Sequence, residues 1–131
     1  MAGYSGTPLP RKLGITDGST VVLLDAPAGF ESALGVKVHR SLVAGTDVAV
    51  LFVTSRRELA NRFPAAAPSM QPAGGLWVAW PKKSSGVPTD LTEDVLREVV
   101  LPLGWVDNRV CAVDGVWSGL RFVLRKENRP R

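Results

Sequence analysis

One cysteine and one histidine, Cys111 and His39, are all that 131 residues hold of either type. A lone cysteine excludes an intrachain disulfide and predicts a reducing, cytoplasmic setting. Without a cluster of His, Cys or closely spaced carboxylates, no metal site is indicated. A Cys111/His39 nucleophilic pair has no motif behind it, and Cys111 reads as a small buried hydrophobe. No apolar run approaches the length that spans a bilayer. Residues 1–10, rich in Gly, Ser and Pro, lack the hydrophobic segment of a signal peptide. Internal repeats and low-complexity segments are absent too.

Charge of one sign is concentrated in one place. The chain carries a formal +4. Arg125, Lys126, Arg129 and Arg131 against Glu127 put +3 of it in the last seven residues. A short basic tail of this kind reads as a solvated, frayed end before it reads as a nucleic-acid arm. Residues 1–124 are left with +1 and show no basic stripe, so nucleic-acid binding is weakly signalled.

What is present is a core. With 45% hydrophobic residues, the length suits one domain. The chain divides into an extended arm over residues 1–18, an α/β domain over 19–124, and the basic tail over 125–131. Leu9, Leu13 and Ile15 would anchor the arm. Gly74-Gly75 reads as a turn into a continuous apolar run, residues 76–80, expected to be a strand buried on both faces. It ends at Pro81 and opens into Lys82-Lys83-Ser84-Ser85-Gly86. Further strands are expected over residues 21–24, 36–38 and 48–53. Only residues 39–46 join the last two, too few for an ordinary crossover helix.

Ser55 and Glu58 form a capping-box pattern before a helix that Pro64 kinks or ends. Asp90 with Glu93 makes a second such pair, in competition with Thr92 as N-cap. Leu91, Val95 and Val99, with Leu96 and Val100, give that second helix an apolar face. Asp114-Gly115 suits a primed turn, so residues 108–113 and 116–124 read as a hairpin. Trp77 and Trp80 are an odd number apart and face opposite sides of the sheet. Trp105 and Trp117 are candidates for a rim or interface, with Trp117 read first as a buried hairpin staple.

The expected fold is α/β: a single-domain, three-layer sandwich with a mostly parallel sheet of about six strands and a C-terminal antiparallel hairpin. This order of elements resembles a reduced class I methyltransferase. Over nearly the whole length the chain also resembles the domain of unknown function 3052 family of small actinobacterial proteins. The residues that carry this are Ser5-Gly-Thr-Pro-Leu-Pro-Arg-Lys-Leu-Gly14, Val50-Leu-Phe-Val-Thr-Ser55, Gly75-Leu-Trp-Val-Ala-Trp-Pro-Lys-Lys-Ser-Ser-Gly86, Asp90-Leu-Thr-Glu-Asp94 and Trp117-Ser-Gly-Leu120. The resemblance implies a fold and a bacterial origin, with no activity attached.

The methyltransferase resemblance implies an acidic residue and a Gly-rich loop after the first strand. Asp25 matches the acid, but Asp25-Ala-Pro-Ala-Gly29 puts Cβ atoms and a proline where glycines belong. It also implies a carboxylate at the end of the second strand, where the sequence reads Val38-His39-Arg40. Both departures argue against S-adenosylmethionine as cofactor.

Ligands of open parallel sheets sit beyond the strands' carboxyl ends. The loops expected there supply Asp25, Ser55, Arg56, Lys82, Lys83, Ser84 and Ser85, a set suited to an anion. The bland alternative makes Lys82-Lys83 a solvated loop and Ser55 only a cap. Lys-Lys-Ser-Ser-Gly is no P-loop, because the glycines of that motif precede its lysine. The sequence is read as a non-catalytic binding or regulatory domain for a protein partner or small anionic ligand. A methyltransferase with a divergent cofactor loop and a nucleic-acid binder using the tail are the alternatives.

Overall fold

The computed structural model describes residues 7–130. Strands β1 (Val21–Leu24), β2 (Thr46–Phe52) and β3 (Met70–Pro81) pair in parallel. Strand β5 (Trp117–Leu124) pairs antiparallel with β3, and β4 (Trp105–Ala112) pairs antiparallel with β5. The sheet order is β1-β2-β3-β5-β4. Helices α1 (Leu9–Lys12) and α2 (Phe30–Leu34) cover one face, and α3 (Arg56–Ala66) and α4 (Glu93–Val100) cover the other. This is the three-layer sandwich anticipated. Two of its four ladders are parallel and two antiparallel.

The sheet has five strands, not six. Residues 36–38 form no ladder, and only His39 pairs, as a parallel bridge to Val22. His39 N donates to Val21 O at 2.8 Å, and Leu23 N donates to His39 O at 2.9 Å. A strand has two edges and β2 occupies one edge of β1, so His39 lies on the other. From there the chain must return past β1 to reach β2. Two strand spacings are about 10 Å, and six extended residues reach about 20 Å. Residues 40–45 therefore suffice without a helix, with Val43 packing on the α3/α4 face. The chain thus passes from one side of β1 to the other between His39 and β2.

Trp77 and Trp80 do face opposite sides. Trp77 belongs to the core under α1 and α2, and Trp80 to the core under α3 and α4. Trp77 is fully buried, and its Nε1 donates to Leu13 O at 3.0 Å. Leu13 is itself fully buried, with Leu9 and Ile15 packed beside it. The arm is thus anchored where expected. It is not extended throughout, because Leu9–Lys12 makes a helical turn with proline at its start, where the missing N–H costs nothing.

Several local expectations change for steric reasons. Gly74 and Gly75 lie inside β3 and make no turn. A Cβ on Gly74 would come within 2.9 Å of the Thr46 and Asp47 carbonyls, so glycine permits the close approach where the β2–β3 register shifts. Neither Asp114 nor Gly115 has positive φ, which rules out a primed turn. Instead the Asp114 carboxylate accepts from Val116 N and Trp117 N, both at 2.8 Å. Helix α3 continues past Pro64 to Ala66 and tightens into a 3-10 turn. Trp105 is core rather than rim, set edge-on to Phe63 at 5.4 Å. Trp117 is half-buried against Phe52 at 5.1 Å.

Over residues 125–130 the basic tail is docked, while Arg131 lies outside the described residues. Arg125 N and Asn128 Nδ2 donate to Gly104 O at 3.1 and 3.0 Å, and Arg129 Nε donates to Leu124 O at 2.9 Å. Among the described residues no helix is long and apolar enough to cross a membrane.

Replacing Trp77 by Phe removes the donor to Leu13 and part of the ring. The expected loss is about 1–3 kcal/mol, read as a lower urea midpoint with unchanged slope. Faster proteolysis within residues 7–15 should accompany it. An unchanged midpoint would show that the arm is held by other contacts.

Candidate functional site at the carboxyl ends of the strands

His39 bridges one side of β1 and β2 pairs on the other, so the chain crosses β1 here, which makes the carboxyl end of β1 the natural crevice of this sheet. The loop of residues 25–29 begins with Asp25 at φ 60° and ends with Gly29 at φ 86°. The left-handed conformation is unusual for a residue with a Cβ, though aspartate tolerates it best. Asp25 Oδ2 pairs with Arg62 Nη2 of α3 at 2.8 Å. Beside the loop, Arg40 Nε pairs with Glu31 Oε1 at 2.7 Å. The loop, Glu31 and Arg40 line a cleft of about 330 Å³.

After β2 the polar side chains serve helix ends. Ser55 Oγ accepts from Glu58 N at 3.1 Å. Glu58 Oε1 reaches past Ser55 to accept from Thr54 N at 2.7 Å. Asp90 does not cap its own helix. Its Oδ1 accepts from Arg56 N, the first amide of α3, at 2.7 Å, while Thr92 caps α4 by accepting from Val95 N at 3.2 Å. Arg56 Nη1 pairs with Glu98 Oε1 at 2.8 Å. The start of α3 is therefore stitched to α4 and to the segment that leads into it.

After β3 the chain forms a 3-10 turn, Lys83–Ser85, closed by Gly86 at φ 77°. Ser85 Oγ donates to Lys82 O at 2.6 Å and accepts from Val87 N at 3.2 Å. Lys82 N donates to Val116 O at 2.7 Å, fixing the turn against the hairpin. Lys82 and Lys83, with Trp80, Thr92, Glu93 and Ser118, line a cleft of about 450 Å³. Neither lysine forms an ion pair with a described residue, and Glu93 is engaged by Arg97 at 3.7 Å.

The structure thus separates the seven predicted residues. Asp25 lines the β1 cleft. Ser55 and Arg56 build the start of α3. Lys82 and Lys83 line the β3 cleft, and Ser84 and Ser85 form the turn beside it. None of the clefts described is lined by all three loops. Arg40, Glu31, Trp80, Thr92, Glu93 and Ser118 were not legible as cleft residues. Thr92 read only as a cap, and Arg40 only as a missing carboxylate.

His39 bridges β1 at one edge of the sheet and Cys111 lies on β4 at the other, so the two do not meet. Burial pushes the Cys111 thiol up from its ordinary pKa, opposed by the nearby cations of Lys12 and Arg109. Among the described residues no group of three His, Cys, Asp or Glu could hold a metal ion.

No protein-family model matches the chain, and no curated protein sequence matches it. Among solved structures, LepI in complex with SAH and a substrate analogue superimposes with a TM-score of 0.54 at 14% identity. That likeness covers 89% of this chain and 39% of the other. LepI in complex with SAM, and a structure described as a pericyclic reaction enzyme, align at a TM-score of 0.48 each. The fold is therefore methyltransferase-like α/β, and the chain spans 39% of the length of that structural neighbour.

Asp90→Ala leaves the first amide of α3 without its acceptor. The expected cost is about 1 kcal/mol, measured by thermal or urea unfolding. A loss well below that would mean water replaces the carboxylate. Alkylation of Cys111 at pH 8 should be slower than that of a free cysteine, because its thiolate fraction is smaller. Equal rates would contradict its burial.

Proposed function

We propose that the chain is a small binding domain on a methyltransferase-like fold, taking a small anionic ligand at the carboxyl end of β3. The observation that carries this reading is Lys82 and Lys83 lining one cleft without a carboxylate partner. Trp80 gives the cleft an apolar wall, while Thr92 and Ser118 offer hydroxyls. A cleft of this size with a few converging polar groups suits a small ligand. We also propose that the chain belongs to the domain of unknown function 3052 family, on residues 5–14, 50–55, 75–86, 90–94 and 117–120.

The structural neighbour binds SAH, and the β1 crevice is where this fold would place such a cofactor. S-adenosylmethionine carries a ribose diol that needs an acceptor and a sulfonium that repels cations. The two carboxylates of the crevice, Asp25 and Glu31, are each held by an arginine at 2.8 and 2.7 Å. The loop offers Ala26, Pro27 and Ala28 to the crevice, and Arg40 stands where a carboxylate would be needed. The residues present do not fit the cofactor.

Thermal shifts with inorganic phosphate, AMP and S-adenosylhomocysteine test the reading on the native chain and on the Lys82→Ala/Lys83→Ala variant. At ten times Kd a ligand stabilises by about 1.4 kcal/mol, roughly 5 °C for a domain of this size. The shift with AMP should shrink by more than half in the variant. A shift that survives both substitutions removes the β3 cleft from the proposal. A shift with S-adenosylhomocysteine, lost in Asp25→Ala, would overturn it in favour of the cofactor reading.

A further inference from the structure

The sheet sets two arginines against each other. Arg109 of β4 pairs in register with Arg121 of β5, which in turn faces Trp77 of β3. Like charges directly opposed across an antiparallel pair destabilise it. Burial pushes the half-buried Arg121 guanidinium below its ordinary pKa, and the cations of Arg109 and Arg129 push the same way. Among the described residues no carboxylate forms an ion pair with Arg109, Arg121 or Arg129. Lys12 lies near the same face, since it and Arg109 both act on the Cys111 thiol. The sequence showed no basic stripe, but the fold assembles one from distant positions.

Arg121 sits in a shaped seat. Its guanidinium lies over Gly75, where a Cβ would collide with it. Nη1 donates to Asn108 Oδ1 at 3.2 Å, which uses one of five N–H donors. Arg121 lines a cleft of about 280 Å³ at the amino ends of β2 and β3, together with Thr16, Ser19 and Gln71. Asp47 also lines the cleft, but its carboxylate is held by Thr20 N at 2.8 Å. The cleft lies at the opposite end of β3 from Lys82.

We propose that Arg121 is the anchor of a second oxyanion site, which seats a phosphate or carboxylate group in the cleft at the amino ends of β2 and β3, with Arg109 opposite it on β4 adding positive charge from outside the cleft. Asp47 is the one carboxylate in the cleft lining and forms no ion pair with either arginine, so an anion seated on Arg121 would add the direct counter-charge that the pair lacks, and the guanidinium fork matches its oxygens. Hydroxyls at Thr16 and Ser19 favour a small polar ligand here over a long polyanion, which needs a line of phosphate contacts.

The test is a site-resolved NMR titration of the full chain with inorganic phosphate, at ionic strength held constant with chloride. Saturable shifts are expected at the Arg121 Nε–H and at the amides of Gly75 and Gln71. Arg121→Gln should weaken binding by about tenfold. Arg109→Gln, at an exposed position, should weaken it by about threefold without threatening the fold. Shifts that do not saturate, that chloride reproduces, or that leave affinity unchanged in Arg109→Gln overturn the site. Saturable shifts confined to Lys82 and Lys83 overturn it while leaving the β3 cleft intact. A short DNA duplex binding more tightly than phosphate, with a steep salt dependence, would replace it by a nucleic-acid surface.

Discussion

The indole N–H of Trp77 lies in a fully buried position, where a polar group without an acceptor costs far more than a hydrogen bond gains. Leu13 O is its acceptor, and that contact joins residue 13 to residue 77 through the middle of the molecule. Around it, β3 is flanked by β2 and β5 and covered on both faces, so its apolar run has no side for water. The arm is part of the core for this reason. Leu13 fills the space over Trp77 at the same place where its carbonyl satisfies the ring.

Most of the framework was legible because its causes are local. The apolar runs of β1, β2 and β3, the Ser55 cap and the odd spacing of Trp77 and Trp80 need no knowledge of distant residues. What was hidden depends on long-range geometry. Val36 and Val38 have the alternation of a short strand, but they pack against the core under α1 and α2 and only His39 pairs with β1. Gly74-Gly75 has the composition of a turn, yet serves the approach of β3 to the Thr46 and Asp47 carbonyls. Asp90 looks like a cap for the helix that follows it and instead caps the helix before it. The opposed pair Arg109 and Arg121 cannot be seen without the register of the hairpin.

The two clefts at the carboxyl ends of the parallel strands differ in how their charges are arranged. At the carboxyl end of β1, each acid meets an arginine and the crevice is neutralised within itself. At the carboxyl end of β3, two lysines stand without carboxylate partners. The crevice at the carboxyl end of β1 thus carries its charges in pairs, and the cleft at the carboxyl end of β3 does not.

Strand β4 ends the sheet with one row of backbone groups unpaired, and such an edge invites a second chain to add itself. The β4–β5 register shifts between Asp107 and Arg109, which interrupts that row. Arg109 then places a positive charge on it, reinforced by Arg121 behind. Two copies meeting edge to edge in antiparallel fashion would bring these cations together. The same opposed arginines that strain the hairpin thus disfavour edge-to-edge pairing of two folded chains, an effect that weakens as ionic strength screens them.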